Sequence, residues 1–242
     1  KGIWFGGKFV QPSIGVANLY AQKVTGSLTG ERSVWALEPV ERWVAPEDFY
    51  EQLLGNVGAR IAWGEAFDFS TNRHPVISTA PLPTTLKALN PEASLREFQR
   101  AAIRVHRYRV AGVEVYQTIY FPAPSIEVYR ASFTGSMLIV ETVGDEILGE
   151  GSSREEVFKA FGLQRPDFSK LDSTEQRYGK IVPLPDAERK ALLHALTAGH
   201  QIYSLGRFAT WRNLLLDDVV ADIAVVRRLM RASSYDVARF AS

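Results

Sequence analysis

The sequence predicts an α/β fold of the α+β kind, with an antiparallel β-sheet and flanking helices. Three observations support this. Residues 102–142 contain four segments dense in Val, Ile, Tyr and Phe: Ala102–Val110, Val113–Phe121, Ile126–Phe133 and Met137–Thr142. Their separators are Ala111-Gly112, Pro122-Ala123-Pro124 and Thr134-Gly135-Ser136. These are turn residues, which predicts an antiparallel meander. Helix signatures lie on both sides of this stretch, and the C-terminal third returns to strand, helix, strand and helix.

The 242 residues carry a formal net charge of +1, 46% hydrophobic residues and no cysteine. This is the composition of an ordinary globular protein. It disfavours a broad nucleic-acid or membrane-surface footprint and excludes disulfides, thiol catalysis and cysteine-ligated metals. No stretch approaches the ~18 consecutive apolar residues of a membrane span, and the expected compartment is the cytoplasm. The chain begins with Lys1 rather than Met, so the expectation is a processed chain or one that starts inside a longer protein.

Residues 3–10 read as a strand interrupted at Gly6-Gly7, by a bulge or a close backbone approach. A helix follows from Pro12 to Val24 with Gly26 past its end, and another, broken near Pro39, over 33–43. Pro46 opens a helix through Leu54 that Gly55 or Gly58 ends. Arg60–Trp63 and Val76–Thr79 read as short strands, and residues 81–90 as a helix. In the sheet, Arg107 and Arg109 share a face with Ile103 and Val105, while Arg104 and His106 point the other way. Ser152 and Glu155 have capping-box spacing for a helix to Gly162. Tyr178–Leu184 is a strand, Asp186–Leu196 a helix and 201–205 a strand. Apolar residues at 216, 219, 220, 223, 226 and 230 then give a final helix, followed by a weakly patterned tail. The division expected is 1–95, 96–150 and 151–242, built as one unit.

The four histidines stand at 74, 106, 194 and 200, without metal-ligand spacing. G-x-S-x-G and P-loop strings do not occur, and G-x-G-x-x-G is also missing. Asp217 and Asp218 are adjacent on a helix, so they do not face each other as an acid/base dyad and instead serve as N-terminal helix charge. The segment from Tyr203 to Ile223 stands out. A strand turns at Gly206 and lays down Arg207, Thr210, Trp211, Arg212 and Asn213 before a helix begins. Helix starts offer N–H groups and a positive dipole end to phosphates or electron-rich rings. The plain alternative is a loop with solvated arginines.

The string G-R-F-A-T-W-R-N-L-L-L-D-D-V-V from Gly206 resembles the G-R-x-x-T-Y-[KR]-Y-L-x-M-D segment of UDP-galactopyranose mutases, within the FAD-dependent amine-oxidase-like proteins. V-A-P-E-D-F-Y-E-Q-L-L, V-I-S-T-A-P-L-P-T-T-L and Y-G-K-I-V-P-L-P-D-A-E-R-K-A-L-L resemble other segments of that family in the same order. Q-T-I-Y-F-P and V-Y-R-A-S-F would lie in its substrate-side sheet. The resemblance spans roughly residues 44–228. It implies a partial FAD-binding Rossmann-like layer beside the antiparallel substrate-side sheet, and an FAD-dependent oxidoreductase or mutase-like activity. By that resemblance Gly206, Arg207, Leu215, Leu216 and Asp217 contact FAD. Arg207 and Tyr120 take the catalytic places, while Tyr129, Arg130, Trp211 and Asn213 face a small-molecule or sugar-nucleotide substrate. Trp211 and Asn213 stand where the family has tyrosines, and Leu215 stands where it has an acidic residue. The family's G-x-G-x-x-G unit would come from a separate N-terminal chain or a longer protein. A homo-oligomeric partner is the other expectation. The competing reading is a non-catalytic nucleotide or sugar-nucleotide binding module, or a partner module, that has lost the pyrophosphate site.

Overall fold

A computed structural model describes residues 1–26, 45–46, 48–72, 74–93, 98–143, 152–164 and 167–231. The helix expected over 33–43, the side chain of Ser152 in the expected capping box and the tail after residue 231 lie outside the described residues. The elements run β1 (Gly2–Phe5), β2 (Lys8–Phe9), α1 (Ile14–Thr25), α2 (Phe49–Val57), β3 (Val76–Ser78), α3 (Leu82–Leu89), β4 (Arg100–Val110), β5 (Val115–Tyr120), β6 (Val128–Gly135), β7 (Met137–Thr142), α4 (Ser152–Ala160), β8 (Phe168–Ile181), α5 (Asp186–His200), β9 (Ile202–Ser204) and α6 (Leu216–Arg231).

Among the described residues these form a seven-stranded sheet of order β2-β1-β5-β6-β7-β4-β8 and a parallel pair, β3-β9. The mixed α+β class read from the sequence is the one observed. The large sheet is antiparallel apart from the β1–β5 pairing, and it takes strands from all three segments of the sequence-based division. Helix α1 covers one face with Ala17, Tyr20 and Val24 over Ile103, Val105, Tyr120 and Tyr129. Helix α4 covers the other with Val157 and Ala160 over Tyr108, Val128, Ala131, Phe133 and Val140. A third cluster joins Leu82, Phe98, Ile181, Leu196, Ile202 and Trp211 around the small parallel pair.

Helix α1 follows local rules closely. Ser13 Oγ accepts from the Val16 N–H at 3.3 Å, and Gly26 closes the helix at φ 71°. Its buried residues 17, 20, 21 and 24 fall on one stripe.

Four sequence expectations need correction. Gly6-Gly7 is neither a bulge nor a close approach but the tip of the β1–β2 hairpin, with φ of 60° and 75° suited to a two-residue turn. Arg60–Trp63 is not a strand, because α2 runs through Gly55 into a 3-10 turn at Gly58–Arg60 and irregular chain follows. The meander holds for β5-β6-β7 but excludes β4, which pairs with β7 and β8. Strand β4 buries Ile103 and Val105 on one face and Tyr108 and Val110 on the other, so an interior position between two neighbours suits it better than an edge beside β5.

The last correction is β8, which starts ten residues before the expected Tyr178. Its first part, S-K-L-D-S-T-E-Q-R, is exposed and has no apolar alternation. It is held by the backbone ladder to β4 and protected as an edge by its charges. The ladder slips between the pairs Ala101–Lys180 and Ile103–Gln176, which leaves extra β8 residues bulged at Gly179. A Cβ on Gly179 would overlap the buried Ile103 side chain.

Gly179→Ala is therefore expected to destabilise the protein by about 1–3 kcal/mol in denaturant unfolding. Combining it with Ile103→Ala should cost less than the sum of the two single changes, since one clash is relieved. Strict additivity would show that the contact is not what excludes a side chain there.

Candidate functional site

The cross-strand register places Tyr120 of β5 opposite Arg130 of β6, and Arg130 next to Glu141 of β7. Neighbours of this kind lie on one sheet face. The β6–β7 register shifts between Val128 and Arg130. Val128 and Ala131, three residues apart, both pack under α4, whereas Tyr129 packs with Tyr120 under α1. The bulge thus turns Tyr129 to the same face as Arg130, an aim that strict alternation would forbid.

Arg130 forms a two-pronged ion pair with Glu141, Nε to Oε2 and Nη2 to Oε1. Tyr20 from α1 meets Tyr120 and Tyr129 edge-on, with ring centroids 5.6 and 6.1 Å apart. Lys180 Nζ lies 5.9 Å from the Tyr20 ring and 5.4 Å from that of Tyr129. Arg207, just after the β9 turn, donates from Nη2 to the bulged Gly179 carbonyl at 3.3 Å. The three tyrosines are buried, and Arg130, Lys180 and Arg207 are half-buried around them.

The Tyr129 hydroxyl is buried beside the Glu141 carboxylate, which is within reach as its acceptor. Burial, reinforced by the Glu141 charge, pushes this phenol well above its ordinary range, so it stays a donor. For Arg130, burial works to lower the pKa, but the hydrogen bonds and charge of Glu141 outweigh it and hold the guanidinium above its usual range. Among the described residues, no three His, Asp or Glu side chains gather as a metal site.

Helix α1 is fixed over this face by Lys23, whose ammonium donates to the carbonyls of Phe121, Ala123 and Val128 at 2.8, 2.8 and 2.6 Å. Three donors meet three acceptors, which sets the position of Tyr20 one turn earlier.

The turn after β9 is rigid for different reasons. Gly206 has φ 90°, and its carbonyl accepts from the N–H and the hydroxyl of Thr210 at 3.0 and 2.8 Å. Trp211 is fully buried, has φ 46°, donates from Nε1 to the Val182 carbonyl at 3.0 Å and packs edge-on against Phe98. Arg212 pairs with Asp222. Asn213, Leu215, Leu216 and Asp217 are exposed, and the Leu215 N–H donates to Asp218 Oδ2 at 2.9 Å, so that donor is used in capping α6.

The structure therefore gathers Tyr120, Tyr129, Arg130 and Arg207 from the residues singled out in the sequence, with Gly206 at their border. Trp211 belongs to the core beneath β9, and the 213–217 stretch lies on the surface. Tyr20, Glu141 and Lys180 were not anticipated. Helical spacing within α1 could have marked Tyr20 as inward-facing, but neither the β6 register shift between Val128 and Arg130 nor the bulge at Gly179 has a local sequence signal.

Comparisons with known proteins give little. No protein-family model and no curated protein matches the chain. Among solved structures it is similar to reduced UDP-galactopyranose mutase, with a TM-score of 0.31 and 18% identity over 54% of this chain and 32% of that one. The likeness is distant. The chain spans about a third of that enzyme's length.

Two outcomes test the geometry. Lys23→Met should destabilise the fold by about 2–3 kcal/mol, and Lys23→Arg should not restore it, because a planar fork cannot reach three carbonyls as an ammonium does. Stability should also fall above pH 10, because the unfolded state loses the Tyr129 proton near its ordinary value of 10.0 while the folded state keeps it. A shallower alkaline slope in Tyr129→Phe denaturation curves would bear this out, and an unchanged slope would contradict it.

Proposed function

We propose that this chain binds an anionic, ring-bearing ligand of the nucleotide type, with a flavin as first choice, on the tyrosine face of its sheet. We further propose that it is the sheet-bearing part of an FAD-dependent oxidoreductase or mutase-like flavoprotein. The observation that carries the reading is the convergence of the half-buried Arg130, Lys180 and Arg207 around the Tyr20, Tyr120 and Tyr129 rings. Aromatic faces and guanidinium planes suit a flat, electron-rich group.

A flavin held there would supply electron transfer. The residues' own part would be to bind and orient. Tyr129 would donate to an electron-rich edge of the ring, Arg207 and Lys180 would favour negative charge on it, and Tyr120 and Tyr20 would exclude water. Gly206 allows the turn that brings Arg207 to this face. Leu215, Leu216 and Asp217 have no role in this reading, since the Leu215 N–H is occupied and the other two are exposed. Trp211 supports the turn from within. Asn213 and a sugar-nucleotide substrate remain part of the proposal only as an exposed polar residue near the start of α6.

The second reading, a nucleotide-binding module without catalysis, is favoured by one fact. The G-x-G-x-x-G cradle for a dinucleotide pyrophosphate does not occur in these 242 residues.

Titration of the full chain with FMN, FAD and UDP-sugars, followed by fluorescence and calorimetry, tests both. Flavin binding that Tyr129→Phe and Arg207→Ala each weaken about tenfold is the expected result, equivalent to ~1.4 kcal/mol. Binding of UDP-sugars but not flavins would favour the second reading, and binding of neither would overturn the proposal.

A further inference from the structure

The Arg130–Glu141 pair gives the tyrosine face a charge pattern that its residue types alone would not. Glu141 has 11% of its side chain exposed and Arg130 has 34%, so the guanidinium stands on the open side of the pair with the carboxylate behind it. The carboxylate takes Nε and Nη2. Nη1 keeps its N–H groups and has no partner among the described residues. An arginine in this state still donates hydrogen bonds, while the carboxylate cancels most of its field. Glu141 forms an ion pair with Arg130 alone, not with Lys180 or Arg207, so its charge acts most strongly at the Arg130 end of the face.

The same carboxylate acts on Tyr129. After burial it is the largest influence that keeps the proton on the phenol, and the Arg130 charge works in the other direction. Glu141 thus maintains two donors side by side, a phenol and a guanidinium, with little net charge where they meet. An anion placed against them would lie close to the buried carboxylate. A neutral carbonyl or ring nitrogen would meet O–H and N–H groups without that penalty.

We propose that Glu141 is a positioning residue that sets the charge selectivity of the tyrosine face. It admits the uncharged, carbonyl-bearing edge of a ring beside Tyr129 and Arg130 and turns the anionic part of the ligand toward Lys180 and Arg207. This rests on the nucleotide-type binding proposed above and narrows the ligand class to a carbonyl-bearing ring whose negative charge is carried at its other end. Glu141 touches no ligand in this role and acts through Arg130 and Tyr129.

Riboflavin and FMN share a ring and differ by a phosphate, so their titration into the full chain, followed by flavin fluorescence, tests the proposal. In Glu141→Gln, whose amide keeps an acceptor for Arg130, the ratio of FMN to riboflavin affinity should rise about tenfold, because an uncompensated guanidinium attracts the phosphate. The pair Arg130→Gln/Glu141→Gln should return the ratio to near its wild-type value, and Arg130→Gln alone should lower it. A purely structural Glu141 would weaken both ligands alike, and an unchanged ratio would overturn the proposal. An alkaline absorbance titration gives a second readout that needs no ligand. The difference between each protein and its Tyr129→Phe counterpart isolates the Tyr129 phenol. Its ionisation should begin at lower pH in Glu141→Gln than with Glu141 in place, and at higher pH in Arg130→Gln. Onsets that do not move in these directions would overturn the proposal even where flavins bind. A wild-type chain that binds neither flavin would overturn the binding reading and this proposal with it, an outcome told apart from the others by the wild-type titration alone.

Discussion

The arrangement of the tyrosine face depends on one ion pair, between Arg130 and Glu141. Glu141 lies in the middle of the sheet with only 11% of its side chain exposed, and an unpaired carboxylate there would be strongly disfavoured. Satisfying it requires β6 and β7 in one register, with Arg130 directly beside Glu141. A slip of one residue would send the guanidinium to the α4 side and leave the carboxylate alone. The β6 bulge then solves a second problem. It keeps Val128 and Ala131 in the apolar layer under α4 while Tyr129 joins Arg130 above. The ion pair thus sets the register, and the bulge reconciles that register with apolar cores on both faces.

The elements around the pair divide into those that hold and those that reach. Tyr20, Tyr120 and Tyr129 are locked by edge-on contacts and by α1, which Lys23 ties to three carbonyls. Lys180 and Arg207 arrive on long side chains from β8 and from the turn after β9, and both are half-buried. Their common support is the bulge at Gly179, which brings the β8 backbone against Ile103 and presents its carbonyl to Arg207. A single residue without a side chain therefore connects the edge strand, the core and the cationic rim. A rigid aromatic layer is thus bordered by cations carried on adaptable side chains.

How much of this was legible in the sequence depends on the distance over which each cause acts. Helix α1 was readable because its signals, a proline near its start and a glycine past its end, lie within its own short stretch of chain. Strands β5, β6 and β7 were readable because their apolar density and turns are local. The neighbour of β4 was not, since the choice between β5 and β7 depends on which faces α1 and α4 cover. Strand β8 was hidden for a related reason. An edge strand needs no apolar alternation, so its ladder to β4 leaves a charged string that reads as loop. Arg207 was singled out because glycine and arginine precede a helix, and it reaches the tyrosine face. Trp211 drew the same suspicion, but its size and indole N–H are used to fasten the turn to Val182 and Phe98.

That use of Trp211 bears on how the turn and the sheet work together. A turn carrying a half-buried arginine must resist the displacement that partial burial of a charge imposes. Here the resistance comes from beneath, where Trp211 enters the third core cluster, and from ahead, where Arg212 pairs with Asp222 on α6. The indole accepts a left-handed backbone conformation at φ 46° to do so, a cost that surrounding contacts have to offset. Helix α6 is thereby connected to the position of Arg207 through one ion pair.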